Sequence, residues 1–175
     1  MGDAVRFAND QDYKQGLCFA GRVSEEFKLQ SGTWVSAGTL RAEAVTAASP
    51  YIRDVVVCGL NQHNIALLIW PNLNVCSALA EKEYTGKVSA EEIVRSPAVI
   101  EAIALGLQQH NKANSGLSKR VARFLLMALP PDPGAYEITD KGYVNQAEVQ
   151  KRRELEVNRL YADKPDESVI TLVDT

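Results

Sequence analysis

Apolar and polar positions change their spacing several times along this 175-residue chain. "DAVRFAND" and "GLCFAGRV" alternate apolar and polar residues, and the polar "DQDYKQ" between them predicts a β-hairpin. "EEFKLQSG" reads as another short strand, stopped by Gly32. From Ala37 the period becomes helical: Leu40, Ala44, Val45 and Ala48 share a face of "AGTLRAEAVTAAS", and Pro50 ends it. Two nearly unbroken apolar runs follow, "IRDVVVCGL" and "IALLIWPN", joined by the turn signal "NQHN". They are expected to pair at the centre of a sheet, buried on both faces or covered by a helix.

Leu73 to Ser115 reads as helical. After "NVCSALAEKEY", the segment "SAEEIVRS" opens on Ser89 with Glu92 placed for a capping box. "PAVIEAIALGLQQHNKAN" begins with Pro97, well suited to a first turn, and carries Val99, Ile103 and Leu107 on one stripe. "RVARFLLMALPP" returns to strand and is ended by Pro130 and Pro131. A long loop, "DPGAYEITDKGY", leads to one charged helix, "NQAEVQKRRELEVNRLYA". The tail "DKPDESVITLVDT" is polar before a short β-prone run and is expected to be mobile. The order predicts an α+β fold: a small mixed β-sheet with helices packed on it, preceded by a β-hairpin.

Composition narrows the function. With 46% apolar and 23% charged residues the chain can bury a full core and does not read as disordered. A net charge of −3 argues against nucleic acid as a partner. No apolar run approaches the ~20 residues of a membrane span, so no membrane partner and a cytoplasmic location are expected. Cys18, Cys58 and Cys76 lack any CxxC spacing and read as buried, reduced thiols, leaving no metal site. His63 and His110 have no sequence neighbour that suggests catalysis. Strand-like sequence begins almost at once in "MGDAVRFAND", the pattern expected of a piece that starts within a larger protein.

Several separated motifs resemble one family. Gly2-Asp3, a hairpin, Gly21-Arg22, the loop "KLQSGTWV", the helix "AGTLRAEAVTAA" and the later "ALPPDPGAYEITDKGYVNQ" fall in the order found in adenylate-forming acid–CoA ligases. The wording of "FKLQSGTWV" and "EITDKGYVNQ" is most similar to feruloyl-CoA synthetase and related bacterial aryl-CoA ligases. The resemblance covers nearly the whole chain. It implies that residues 1–23 are the terminal hairpin of a large adenylation domain, and that residues 24–175 form the C-terminal lid domain. The lid would rotate between an adenylation pose and a thioester-forming pose. The missing N-terminal adenylation domain would be its partner. ATP, CoA, Mg2+ and a small aromatic or fatty carboxylic acid would serve the whole enzyme, with none of them expected bound to this piece.

The resemblance also implies site residues, each chemically suited to its role. Asp3 would accept hydrogen bonds from both ribose hydroxyls of the nucleotide, which a two-oxygen carboxylate can do. Arg22 would reach the ribose or a phosphate with its fixed fork of donors. Ser24 occupies the hinge, where relatives carry aspartate or lysine. Lys141 would be the catalytic lysine, its ammonium offsetting charge as pyrophosphate leaves. In the family that lysine directly follows a glycine; here it precedes Gly142, and Tyr143 stands in the family's place. Gly32, Thr33 and Trp34 would line the CoA channel, a glycine allowing close approach and an indole giving an apolar wall. Lys119, Arg120 and Arg123 could meet CoA phosphates or simply form a solvated strand edge. The competing reading is a stand-alone, non-enzymatic α+β module that binds a protein partner or small ligand.

Overall fold

A computed structural model describes every residue except 1, 2, 8, 10, 11, 23, 24, 82, 85, 86, 174 and 175, with the backbone alone for 3–7 and 17–22. Strands β1 (Asp3–Phe7) and β2 (Leu17–Arg22) form the expected antiparallel hairpin. A second hairpin joins β3 (Glu26–Lys28) to β4 (Trp34–Ser36). The strand expected to stop at Gly32 therefore turns there and pairs with its own continuation. Helix α1 (Ala37–Ala47) buries Ala37, Leu40 and Ala44, and Ala48 just beyond it; Val45, expected on the same face, is half-buried.

The main sheet has four strands in the order β5 (Ile52–Cys58), β6 (Ile65–Pro71), β7 (Val121–Leu126), β8 (Val169–Thr171). β5–β6 and β7–β8 are antiparallel and β6–β7 is parallel, a mixed sheet as expected. The parallel pair requires a long crossover. It consists of α2 (Leu73–Ala80), α3 (Ala90–Ile93) and α4 (Pro97–Ala113). Two expectations are corrected here. β5 pairs with β6 but lies at the sheet edge rather than its centre, because β7 takes the far side of β6. The tail is ordered at Val169–Thr171, since β7 offers it a free edge opposite Arg123–Leu125.

Alternate residues of the sheet enter two cores, as a period of two requires. Val55, Val57, Leu67, Ile69 and Phe124 face α1, α2 and α4. Val56, Leu68, Trp70 and Leu125 face Val144, Val149 and Leu160 on the other side. Burial on both faces explains the unbroken apolar runs. α4 opens as predicted, with Pro97 in its first turn, and Val99, Ile103 and Leu107 are buried. Ser89 and Glu92 close a full capping box on α3.

Gly106 marks the closest approach of α4 to α1. A Cβ there would lie 2.5 Å from the Ala47 carbonyl oxygen and 2.7 Å from Ala48 Cα, both backbone atoms that cannot swing aside. Gly106→Ala gains about 1 kcal/mol of helix propensity. We expect the clash to outweigh this and to leave the variant less stable by about 1–3 kcal/mol in urea denaturation; a stabilised variant would show that the helices separate freely.

The charged helix is two helices, α5 (Gln146–Arg152) and α6 (Glu154–Tyr161), broken at Arg153 with φ −104° and ψ 37°. Neither glycine nor proline causes the break. The Arg153 side chain is drawn to partners on the loop before α5. Arg123 closes the far end of α6, donating from Nη1 to the carbonyls of Leu160 and Ala162 at 3.0 Å each. Lys119 pairs with Glu43 at 2.7 Å. Lys119 and Arg123, both considered for CoA phosphates, thus have partners within this chain. His110 is buried and staples the end of α4: Nε2 donates to the Lys119 carbonyl at 2.9 Å.

Candidate functional site

Asp3 and Arg22 face one another across the β1–β2 ladder as backbone partners. The two residues assigned to the nucleotide therefore meet at one point of a hairpin, although they are far apart in sequence. Ser24 lies outside the described residues.

Gly32 and Thr33 close a tight turn that leads into Trp34, the first residue of β4. Leu29 N–H donates to the Thr33 carbonyl at 3.0 Å, and Gly32 N–H to the Leu29 carbonyl at 2.9 Å. Gly32 has φ +84°, a left-handed conformation that other residues adopt only with strain, which is why glycine stands there. Ser31 and Thr33 hydroxyls bond one another at 2.9 Å. The turn is lashed to the β5–β6 turn by Gln30 N–H to the Gln62 carbonyl, 2.9 Å, and Asn61 N–H to the Lys28 carbonyl, 3.0 Å. Trp34 is 59% exposed, so it is no core anchor. Its cross-strand partner Lys28 places Nζ 4.7 Å from the ring centroid. The indole is an exposed apolar plate with a cation over one face.

Lys141 sits exposed at the tip of a small hairpin. An isolated bridge joins Ile138 and Val144, Thr139 N–H donates to the Tyr143 carbonyl at 2.8 Å, and Gly142 N–H donates to the Thr139 carbonyl at 2.8 Å. Gly142, at φ +80°, makes this turn possible. No described hydrogen bond or ion pair uses the lysine ammonium. Tyr143, which follows Gly142, is 54% exposed.

At the base of this hairpin lies an ion pair that sequence reasoning missed. Glu137 is buried and bidentate with Arg153: Nε to Oε1 at 2.9 Å and Nη2 to Oε2 at 2.8 Å. Asp132 N–H also donates to Glu137 Oε2, at 2.7 Å. Arg153, chiefly, holds the Glu137 carboxyl below the usual carboxylate range, against the opposing effect of burial. The same guanidinium donates to the carbonyls of Leu129 (3.2 Å) and Pro130 (2.9 Å), and lies 5.3 Å from the Trp70 ring centroid. Trp70 Nε1–H donates to the Leu129 carbonyl at 2.7 Å. Nothing local marks these residues. Glu137 and Arg153 are 16 positions apart in sequence, in what reads as a polar loop and a charged helix face.

A second anchor follows at once. Gln146, the first residue of α5, accepts from Val57 N–H at 2.8 Å and donates to the Val55 carbonyl at 3.1 Å. Early in β5, Asp54 is held by Arg41 of α1, bidentate at 2.6 and 2.7 Å. Asp54 holds the guanidinium above its usual range, and Glu25 and Tyr143 lie close enough to add to that effect.

Cys58 and Cys76 are buried free thiols, as expected, and burial pushes them up to about 12 and about 11, respectively. Among the described residues no cluster of His, Cys, Asp or Glu could hold a metal ion. No helix among them is long and apolar enough to cross a membrane.

A mixed sheet with helices on both faces and an exposed lysine on a braced turn describes a domain class that sequence comparison identifies. The chain belongs to the family of AMP-binding enzyme C-terminal domains, whose profile matches residues 31–165. It is thus a domain of the adenylate-forming enzymes, which favours that reading over a stand-alone binding module. The fold is similar to that of the A domain of carboxylic acid reductase from Segniliparus rugosus, solved with AMP and a co-purified carboxylic acid: TM-score 0.65, 20% identity, 91% of this chain and 22% of that one. The adenylation domain of the carboxylate reductase from Mycobacterium chelonae matches with TM-score 0.68, 21% identity, and coverage of 93% and 23%. Coronafacic acid ligase from Pectobacterium brasiliense matches with TM-score 0.50, 17% identity, and coverage of 98% and 25%. The chain therefore spans about a quarter or less of the length of these structures. No curated protein matches the sequence.

Proposed function

We propose that this chain is the C-terminal lid of an ATP-dependent, AMP-forming acid–CoA ligase of the feruloyl-CoA synthetase type. Residues 1–23 would be the last hairpin of its large adenylation domain, and residues 24–175 the lid itself. The observation that carries the reading is Lys141: an exposed, uncommitted ammonium at the tip of a braced hairpin, in the domain family that serves adenylate formation. A charge so placed can enter a neighbouring domain's site without first breaking a bond of its own.

Each residue keeps the role its chemistry suits. Lys141 would contact the acid's carboxylate and the α-phosphate, stabilising charge as pyrophosphate departs. Asp3 would hold the ribose hydroxyls, with Arg22 opposite it on the ladder reaching the ribose or a phosphate. Ser24 would be the pivot. After rotation, Gly32, Thr33 and the exposed Trp34 plate would form one wall of the channel for CoA. Mg2+ would be held by the phosphates and the large domain, since no described cluster in this chain suits it. The acid's pocket would likewise belong to the large domain.

The intact protein carrying this domain, given ATP, Mg2+, CoA and ferulate, is expected to yield AMP, pyrophosphate and feruloyl-CoA by mass spectrometry. The 175-residue chain alone is expected to yield none of them. Pyrophosphate release by the chain alone would overturn its reading as a lid. An intact protein that adenylates acids yet never forms a CoA thioester would overturn the ligase reading.

A further inference from the structure

We propose that Glu137 and Arg153 are positioning residues for Lys141: their buried ion pair fixes the base of the hairpin that carries the lysine, so adenylation depends on a pair that never touches substrate. The inference rests on the assignment of Lys141 to adenylation made above.

A lysine side chain has a long, flexible stem and cannot set its own position, so the backbone beneath it must do so. The hairpin's internal hydrogen bonds make it a unit, but they do not aim it. Aim is set where the unit joins the domain. There, Asn145 N–H donates to the Glu137 carbonyl at 2.8 Å, closing the base. On one leg, the Glu137 side chain is gripped by Arg153 and by Asp132 N–H. On the other, Asn145 Oδ1 accepts from Glu148 N–H at 3.3 Å to cap α5, and Gln146 docks on β5.

Arg153 gathers both ends of the loop. One guanidinium holds the loop's departure, at the Leu129 and Pro130 carbonyls, and its return, at Glu137. Its side chain is 12% exposed and that of Glu137 is 3% exposed. A buried ion pair is an inefficient way to gain stability, because desolvation takes back much of the attraction and apolar residues often serve as well. What the pair supplies that apolar residues cannot is fixed direction, through a planar fork with several donors in use. The break between α5 and α6 at Arg153 is the backbone cost of directing that fork inward.

Arg153→Lys tests this in the intact enzyme, since it keeps the charge and much of the packing while losing the fork. Acid-dependent ATP–pyrophosphate exchange would report adenylation, and CoA thioester formation from supplied acyl-adenylate would report the second step. Displacing a catalytic group by about 1 Å costs roughly a hundredfold, so Arg153→Lys is expected to lower the adenylation kcat by about ten- to a hundredfold. KM for ATP and acid, and the thioester step, should hold near wild type. Glu137→Gln, which keeps shape but not charge, should move the same way. Should both half-reactions fall together, or should Arg153→Lys adenylate normally while Lys141→Ala does not, the positioning role is overturned and the Lys141 assignment stands. If Lys141→Ala itself adenylates normally, the assignment falls, and the positioning role falls with it.

Discussion

Lys141→Ala in the intact enzyme is expected to slow acyl-adenylate formation by about 10²–10³, the loss seen when one preorganised group facing developing charge is removed. Thioester formation from preformed adenylate should continue, because in that pose the lysine is proposed to have swung away. The lysine is exposed, and no described hydrogen bond or ion pair uses it. Folding should therefore not change, and the thermal midpoint of the variant domain should match wild type. This separates a chemical effect from a structural one. Equal loss in both half-reactions, or an unaltered exchange rate, would remove Lys141 from the chemistry.

Arg153→Ala should have the opposite profile, with a large loss of stability in the 175-residue chain itself. Breaking a buried ion pair on one side typically costs 3–5 kcal/mol, because the partner's charge is left uncompensated. Here Glu137 would keep only Asp132 N–H, and the carbonyls of Leu129 and Pro130 would lose their Arg153 donors. Urea denaturation would measure the loss; a change below about 1 kcal/mol would mean that the pair behaves like an exposed one. The sign with pH follows from Glu137. Its folded carboxyl lies below the ordinary range, so the pair's stabilisation is present at neutral pH. It is lost as pH falls below the unfolded value of about 4.3 and through the folded one. Wild type should therefore lose more stability than Glu137→Gln between neutral pH and the acid limb.

Local signals in the sequence proved dependable. The capping box at Ser89, Pro97 at a helix start, the Val99–Ile103–Leu107 stripe and the two apolar strands all act within a few residues, and each is present in the fold. What was not legible depends on distant partners. The tail looked mobile because its own residues are mostly polar, and only β7, more than forty positions earlier, turns Val169–Thr171 into a strand. β5 and β6 look equally central in sequence; their ranks are decided by where β7 pairs. The charged helix carries no breaker residue, and its break at Arg153 follows from Glu137, which reads as ordinary loop polarity. In the candidate site, Lys141 and Trp34 were singled out by motif, and both are exposed. The brace beneath Lys141 had no motif to betray it.

The glutamine that docks on β5 has a consequence for solubility. By offering one acceptor and one donor at the spacing of a neighbouring peptide, Gln146 impersonates a fifth strand without supplying a chain that could continue. Unpaired peptide groups along a strand are what recruit foreign chains into fibrils and swapped dimers. This flank is already sealed by a side chain, and the opposite flank ends in a strand only three residues long. The layer therefore stops growing at four strands among the described residues.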